Sequence, residues 1–578
     1  MARPVTGKIM EDKIWVRKKN GTYYCYQRRR VWKDGKAVLL GKTLLGKADK
    51  IGGELRQTRR KRPAGSRGEN EDAPPKASRK HTGMMEIIDF IGRESGVDED
   101  LYASVDAPIA QKLLSLARYV VGTGGDTYPG IEEWMFTHPL PYTHPITEDV
   151  YRPLLDIAGI DESMRQNYFR NRFAREGGLA LSVAYDATTQ NSVTVNPESR
   201  DGENKCKNGK PSVKVLVLYS LESRQPLAYF KQPGNIPDII SINTALSQAK
   251  ALGAKGDILI VTDNGFASEE NLAATMRSGH HFLTRLKNGW KWVRDEIDKH
   301  GDELRNASNC IMSFPTVKGI TVALTREFRY KRAYGSKAKG LEAGDTDKFK
   351  RRIYMHIYYD AARKEKEDRE FMENLAEIKK AIEDGQELTE EAGKTVDAYL
   401  SVKERKGKKT VAFLNGKIDE ACRCNGVFVL ASDKRKDKEE ALRIYRKREW
   451  IEDYFERFKQ YADGSTSRTG SPENLQGRMF VQFLAMGYIE FIQEKIRKLK
   501  ETLGVANGDP SHDTEESLKK ERGLRHWLEK RSAHRVLTWF DAYETVEVSI
   551  DVTKRRWSTA TIERDRLFLK LLGMPDGR

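Results

Sequence analysis

Two short apolar runs each stop at an acid: SVAYDATT at Asp186 and DILIVTD at Asp263. Ligands and catalytic groups gather at strand ends in α/β sheets. An acid there equally starts a turn or caps a helix. A third acid, Glu452, lies in IYRKREWIEDYFERFKQ, which reads as part of one helix over about 438–460, opened by Asp437 and Glu440 at capping-box spacing. Tyr445, Arg448, Glu452 and Lys459 stand at offsets 0, 3, 7 and 14. At ~100° per residue all four fall in a stripe ~60° wide. A carboxylate beside two cations and a phenol suits a metal ligand flanked by groups that grip phosphate. A solvated face with i, i+4 pairs has the same composition, and Glu449, Asp453 and Glu456 share the helix.

Three carboxylates suit two Mg²⁺ or Mn²⁺ ions per active site, because hard cations take oxygen ligands. Two such ions ~4 Å apart activate an attacking water or 3′-hydroxyl and stabilise the leaving oxygen. The matching reaction is in-line displacement at a phosphodiester.

The elements that must position these groups are legible in outline. Residues 1–56 read as a basic three-stranded β-ribbon, with Asn20-Gly21 and Asp34-Gly35 as hairpin turns. Arg28, Arg29 and Arg30 lie on its middle strand, Arg28 and Arg30 on one face and Arg29 on the other. Residues 57–81 read as a basic flexible linker, and 82–177 as mostly helical. Short apolar strands and a helix at about 238–252 mark a mixed α/β core over 178–289. An insertion at 290–425 interrupts the core, with strands first and a charged helical piece over about 362–404. GVFVLAS returns the chain to the core over 426–500, and 501–578 forms a mostly helical end suited to dimerisation.

Charge divides the 578 residues unevenly. Residues 1–80 hold 23 Lys/Arg against 8 Asp/Glu, whereas the remainder holds 79 against 77. A positive block on a near-neutral chain points to a polyanion: DNA, RNA or an anionic membrane. No apolar run approaches the ~18 residues of a membrane span, and the first residues lack the apolar stretch of a secretory signal. Five scattered cysteines fit a reduced cytosolic chain, and Cys422-x-Cys424 lacks the second pair of a zinc finger. Neither a Walker loop nor GxGxxG is present, so a nucleotide cofactor is not expected. His280 and His281 point to opposite faces of a strand, and His138 and His144 sit in a Pro-rich loop without a partner set.

The spacing Y-x2-R-x3-E-x6-K at Tyr445, Arg448, Glu452 and Lys459 resembles the Tyr-Arg-Glu-Lys motif of bacterial insertion-sequence DDE transposases of the cut-and-paste group. The two aspartates fit: in that family one ends the first strand, and the other ends the fourth before a Gly and an aromatic, as in Asp263, Gly265 and Phe266. The separations are 77 residues from Asp186 to Asp263 and 189 from Asp263 to Glu452, the second long enough for the family's β-rich insertion. The resemblance implies an RNase H-like mixed-sheet core. It implies Asp186, Asp263 and Glu452 as catalytic metal ligands, and Tyr445, Arg448 and Lys459 on phosphates of the transposon end. It also implies inverted-repeat and target DNA as partners, a homodimer holding paired ends, a hairpin intermediate and a cytoplasmic, nucleoid-associated location. Trp290 and Trp292 stand where the family's insertion supplies an aromatic against a flipped base, although a Trp pair beside a strand is more often core. The long charged helical part of the insertion departs from the family. Two other readings remain: a retired transposase that only binds DNA, and a nuclease on the same fold.

Overall fold

The computed structural model describes residues 9–18, 21–33, 36–56, 76–177, 181–200, 209–236, 258–331, 345–405, 408–509, 511–550 and 553–574. The chain divides into two compact units, Met1–Ser78 with Glu547–Arg556, and Arg79–Val546 with Trp557–Arg578.

In the first unit β1 (Ile9–Arg17), β2 (Tyr23–Lys33) and β3 (Lys36–Ala48) form an antiparallel sheet in that order. Gly21, at φ +81°, supplies the left-handed backbone of the first turn. Asn20 and the Asp34-Gly35 turn lie outside the described residues. Period-two alternation sets the arginines against acids of β1: Arg28 and Arg30 pair with Asp12, and Arg29 pairs with Glu11 at 2.9 Å. Of the expected linker, 57–75 lie outside the described residues, and the rest is a strand, β4 (Lys76–His81).

The second unit opens with helices α1 (Gly83–Glu94), α2 (Val97–Tyr102), α3 (Ala107–Thr123), α4 (Ile131–Thr137), α5 (Glu148–Ile160) and α6 (Glu162–Arg175). The sheet follows: β5 (Ser182–Ser192), β6 (Ser212–Ser220), β7 (Pro226–Pro233), β8 (Leu259–Thr262), α7 (Glu269–Arg277) and β9 (His281–Leu286). β5, β6 and β7 are antiparallel neighbours, while β8 runs parallel to both β5 and β9. The spatial order β9-β8-β5-β6-β7 is that of an RNase H-like core. All residues of β6 and β8 are buried, so these strands read as apolar runs rather than alternations, with Lys214 the one charge in β6. The helix expected over about 238–252 lies outside the described residues.

The insertion begins with α8 (Lys291–Leu304), the short β10 (Cys310–Ile311), and a long hairpin of β11 (Phe314–Lys331) and β12 (Thr346–Asp360). This hairpin is part of the main sheet. β12 pairs with β15 (Val427–Ser432), and β15 pairs with β9. The charged piece is two helices, α9 (Ala361–Glu383) and α10 (Glu390–Tyr399), after which the chain turns into β13 (Leu400–Arg405) and β14 (Lys408–Phe413), then α11 (Asn415–Cys422). Leu375, Ile378, Ile382, Leu400, Val411 and Ile418 give this part a small core of its own. Its surface is charged because few side chains are needed inside it.

The C-terminal helices are α12 (Lys438–Arg446), α13 (Glu449–Tyr461), α14 (Pro472–Thr502), α15 (Glu515–Glu529) and α16 (Ala533–Phe540), with a two-residue strand, β16 (Thr466–Ser467), beside β5. β17 (Glu544–Ile550), β18 (Thr553–Ser558) and α17 (Glu563–Leu572) end the chain's described elements. α14 packs on α5 almost backbone to backbone. A Cβ at Gly477 would stand 1.9 Å from the Leu155 carbonyl oxygen, and one at Gly159 would stand 1.8 Å from that of Glu473. Gly477→Ala must therefore push the helices apart. A destabilisation of about 3 kcal/mol is expected, read as a lower urea midpoint at unchanged slope. A loss below about 0.5 kcal/mol would mean that the crossing is looser.

His356 on β12 is buried, with Nε2 donating to the Arg435 carbonyl at 3.1 Å and Nδ1 accepting from Thr321 Oγ1 at 2.9 Å. Burial pushes its pKa down to about 4. The unfolded chain takes this proton near pH 6.5, so stability contributed by neutral His356 is complete above that pH and falls as pH drops towards 4. At pH 5 the loss is about 2 kcal/mol. Stability curves of wild type and His356→Gln at pH 7 and 5 check this. The wild type should lose that much more than the variant, and equal losses would contradict it.

Candidate active site

Asp186 lies inside β5 rather than at its end, contrary to the sequence reading. The strand continues to Ser192 because Thr188, Thr189 and Gln190 stay in register with β6 and are themselves buried. The Asp186 carboxylate is buried. Oδ1 accepts from the Ala187 amide at 2.7 Å, and Oδ2 accepts from Arg448 Nη1 at 3.2 Å.

Asp263 follows the last residue of β8. Its Oδ1 accepts from the Gly265 amide at 2.9 Å, closing a tight turn, and Phe266 packs on Tyr185 with ring centroids 5.1 Å apart. Thr284 Oγ1 on β9 bonds Thr262 Oγ1 at 2.8 Å, which ties the end of β8 to its neighbour. Ser268 caps α7 by accepting from the Asn271 amide, so the helix begins just beyond the acid.

Glu452 comes from α13, and here the expected single helix is two. α12 is capped by Asp437, whose side chain accepts from the Glu440 amide at 2.8 Å, and it ends at Arg446. The amides of Lys447, Arg448, Trp450 and Ile451 bond carbonyls three residues back instead of four. This tightened turn rotates Tyr445 relative to Glu452, so the continuous wheel does not apply across it. Arg448 sits at the joint. Its Nη2 donates to Glu452 Oε1 at 2.5 Å while Nη1 holds Asp186, so one guanidinium bridges carboxylates from the first core strand and this helix. The Arg448 side chain is 13 % exposed and that of Asp186 6 %, whereas Glu452 is 54 % exposed and faces solvent.

Electrostatics draw the fourth and fifth members in. Burial lowers the Arg448 pKa, but Tyr445, Asp186, Glu452 and Asp263 outweigh it, and the group lies above its ordinary value. Burial raises the Tyr445 phenol, against the pull of Arg448 and Arg285 and with the support of Asp263. Asp186 and Glu452 therefore hold Arg448 directly, and Asp263 and Tyr445 act on it electrostatically. Arg285 on β9 was missed by sequence reasoning. Burial depresses its pKa, and Arg363, Tyr445, Glu367 and Asp263 all act on it. Its only sequence signal is a cation inside the apolar run HHFLTRL.

Lys459 lies two turns beyond Glu452 on α13, half-buried, with no ion pair among the described residues. Trp290 and Trp292 are half-buried against a core cluster of α7, α8 and the outer strands, 5.8 Å apart, with Arg326 4.0 Å over the Trp292 ring. Arg28, Arg29 and Arg30 belong to the first unit, where each faces an acid. His281 Nδ1 pairs with Asp433 at 2.8 Å and serves the β9 edge rather than the acidic cluster.

The acids that act on Arg448, Asp186, Glu452 and Asp263, offer carboxylate oxygens, the donor type for Mg²⁺ or Mn²⁺. A sheet of this order, with acids on its first strand, after its fourth and on a later helix, defines an RNase H-like protein with an acidic site. The chain belongs to the transposase DDE domain family, whose model matches residues 178–487. It is a DDE transposase, of a class that cuts and joins DNA. No curated protein matches the chain. A solved cryo-EM structure, the piggyBac transposase synaptic complex with hairpin DNA, aligns at 9 % identity and TM-score 0.32, over 79 % of this chain and 78 % of that one. Among the described residues no helix is long and apolar enough to cross a membrane.

Proposed function

We propose that this transposase nicks the ends of its transposon and joins the freed 3′-hydroxyl to target DNA by cut-and-paste, with Asp186, Asp263 and Glu452 as the metal ligands. The observation that carries this is Arg448 bridging Asp186 and Glu452 at 3.2 and 2.5 Å, with Asp263 acting on the same guanidinium. Asp186 and Glu452, from distant segments, share one cation on which Asp263 also acts, which supports this assignment. Two Mg²⁺ or Mn²⁺ ions would supply activation of the attacking hydroxyl and neutralisation of the leaving oxygen. Asp186, held by the Ala187 amide, fixes the position of the site, and solvent-facing Glu452 completes it. Arg448, once released from the acids, would pair with a phosphate of the transposon end, beside Tyr445 and Lys459. A hairpin at the transposon end and a homodimer on paired ends follow from the Tyr-Arg-Glu-Lys resemblance.

DNA contacts would extend along the hairpin of β11 and β12. Arg329 stands directly opposite Lys348, with Lys350 and Arg352 exposed on the same face. Like charges opposite one another destabilise a ladder, and a phosphate backbone relieves that repulsion. Neutralising Lys348, Lys350 and Arg352 together should lower the slope of log K against log salt by about 2–3, close to 0.9 per lost contact. An unchanged slope would place the DNA elsewhere. Arg28, Arg29 and Arg30 offer less, because Glu11 and Asp12 already compensate them.

The decisive experiment incubates purified protein and Asp186→Asn with DNA flanking its gene in Mg²⁺ or Mn²⁺, and maps 3′-hydroxyl ends. Discrete metal-dependent cuts at inverted repeats, absent in the variant, are expected. Cuts without sequence preference would instead mean a nuclease, and binding without cuts would mean a DNA-binding protein.

A further inference from the structure

His81 ends β4, His138 follows α4 and Asp541 follows α16, all within the second unit. One ring nitrogen of each histidine and one oxygen of the carboxylate lie within 4.8 Å of one another. None of the three belongs to the acidic site.

The hydrogen bonding of His138 does not balance with a neutral ring. His138 Nδ1 faces the Trp134 carbonyl at 2.9 Å, and its Nε2 faces Asp541 Oδ1 at 3.0 Å. A carbonyl only accepts, so Nδ1 carries the proton, and Nε2 of the neutral ring aims a lone pair at a carboxylate oxygen. Thr137 Oγ1, 3.0 Å from Nδ1, turns its own hydroxyl to the same carbonyl at 3.3 Å and supplies no donor to the ring. His81 places Nδ1 2.8 Å from the Asp541 carbonyl, while its Nε2, 3.7 Å from Glu544 Oε1, lies beyond hydrogen-bond distance and keeps its lone pair. A cation shared with Asp541 would satisfy the carboxylate and the Nε2 lone pair of His138 together.

The geometry favours the shared cation. An Nδ1–H fixed on a carbonyl is how metal-ligating imidazoles are oriented. His138 lies flat on Trp134 (4.0 Å, 1° between planes), and His81 covers its other face (4.9 Å, 14°). His138 is therefore clamped, and His81 is held by its Nδ1 on the Asp541 carbonyl. The 3.0 Å contact of Asp541 Oδ1 with His138 Nε2 is close to the ligand–ligand edge of a tetrahedral site. That edge is about 3.3 Å for bonds of ~2.0 Å.

We infer that His138 Nε2, a carboxylate oxygen of Asp541 and a ring nitrogen of His81 bind one divalent transition ion of the Zn²⁺ type. Water or Glu544 would complete the set. Two imidazoles and one carboxylate select Zn²⁺ or Co²⁺ over Mg²⁺. The ion would staple the entry to the helical region to the turn after α16, 403 residues from His138.

The test uses full-length Asp186→Asn protein in excess Mg²⁺, so that the acidic site does not compete, titrated with Co²⁺. One equivalent should give the intense visible bands of tetrahedral cobalt, and Zn²⁺ should abolish them and raise Tm. Adding His138→Gln should weaken Co²⁺ binding at least about 100-fold. His81→Gln, at a more exposed ring, makes the same test should the His138 variant not fold. Absence of tetrahedral bands in the parent protein would overturn the inference. So would bands that persist unchanged in a folded variant.

Discussion

Asp186→Asn should lower the rate of DNA cleavage by at least about 10³-fold while leaving the affinity for transposon-end DNA within about twofold. The substitution keeps volume and shape, so the Ala187 amide retains an oxygen to donate to, as it does now at 2.7 Å. What disappears is the charge. Asp186 is the most enclosed acid of the site, at 6 % side-chain exposure. Water cannot replace its contribution to a bound cation as it could at Glu452. The same change removes one anion from Arg448 and leaves that guanidinium freer to meet phosphate, so binding has no reason to fall. Single-turnover cleavage and a gel-shift titration on one DNA read the two quantities separately. Cleavage within tenfold of wild type would remove Asp186 from the catalytic set. A parallel collapse of binding would make it structural.

Arg448→Gln should bind Mn²⁺ about tenfold more tightly than wild type and yet cleave about 10²-fold more slowly. Arg448 pairs with Asp186 and Glu452 together, so an incoming cation must displace it from both. Glutamine removes that cation from both carboxylates, which favours the metal by about 1.4 kcal/mol. It also removes the cation proposed to grip phosphate. Arg448→Lys should fall between, since an ammonium is a point charge that cannot fork between two acids. Isothermal titration or Mn²⁺ resonance checks affinity without any turnover. Weaker Mn²⁺ binding in the glutamine variant would mean that Arg448 positions the acids rather than competing for them.

Many of the elements, and the residue types proposed for the chemistry, are legible in the sequence. Apolar runs gave β8 and β15, Asp437 gave a helix start, and tyrosine, arginine, glutamate and lysine at fixed spacing gave the family resemblance. These are local signals, set by period, turn chemistry and neighbouring residue types. The tertiary structure decided what local signals do not carry. Asp186 appeared to end a strand because charge interrupts an apolar run, yet burial of Thr188 and Gln190 keeps the strand going. The helix over 438–460 breaks at Arg448 where one guanidinium serves two carboxylates, and the wheel computed across it fails at that turn. The insertion hairpin reads like an independent piece, but its backbone groups pair with β15 and lengthen the core sheet. Arg285 and the cluster of His81, His138 and Asp541 had no spacing to announce them. Groups brought together by packing, from segments hundreds of residues apart, leave no period in the chain, and only the folded protein places them side by side.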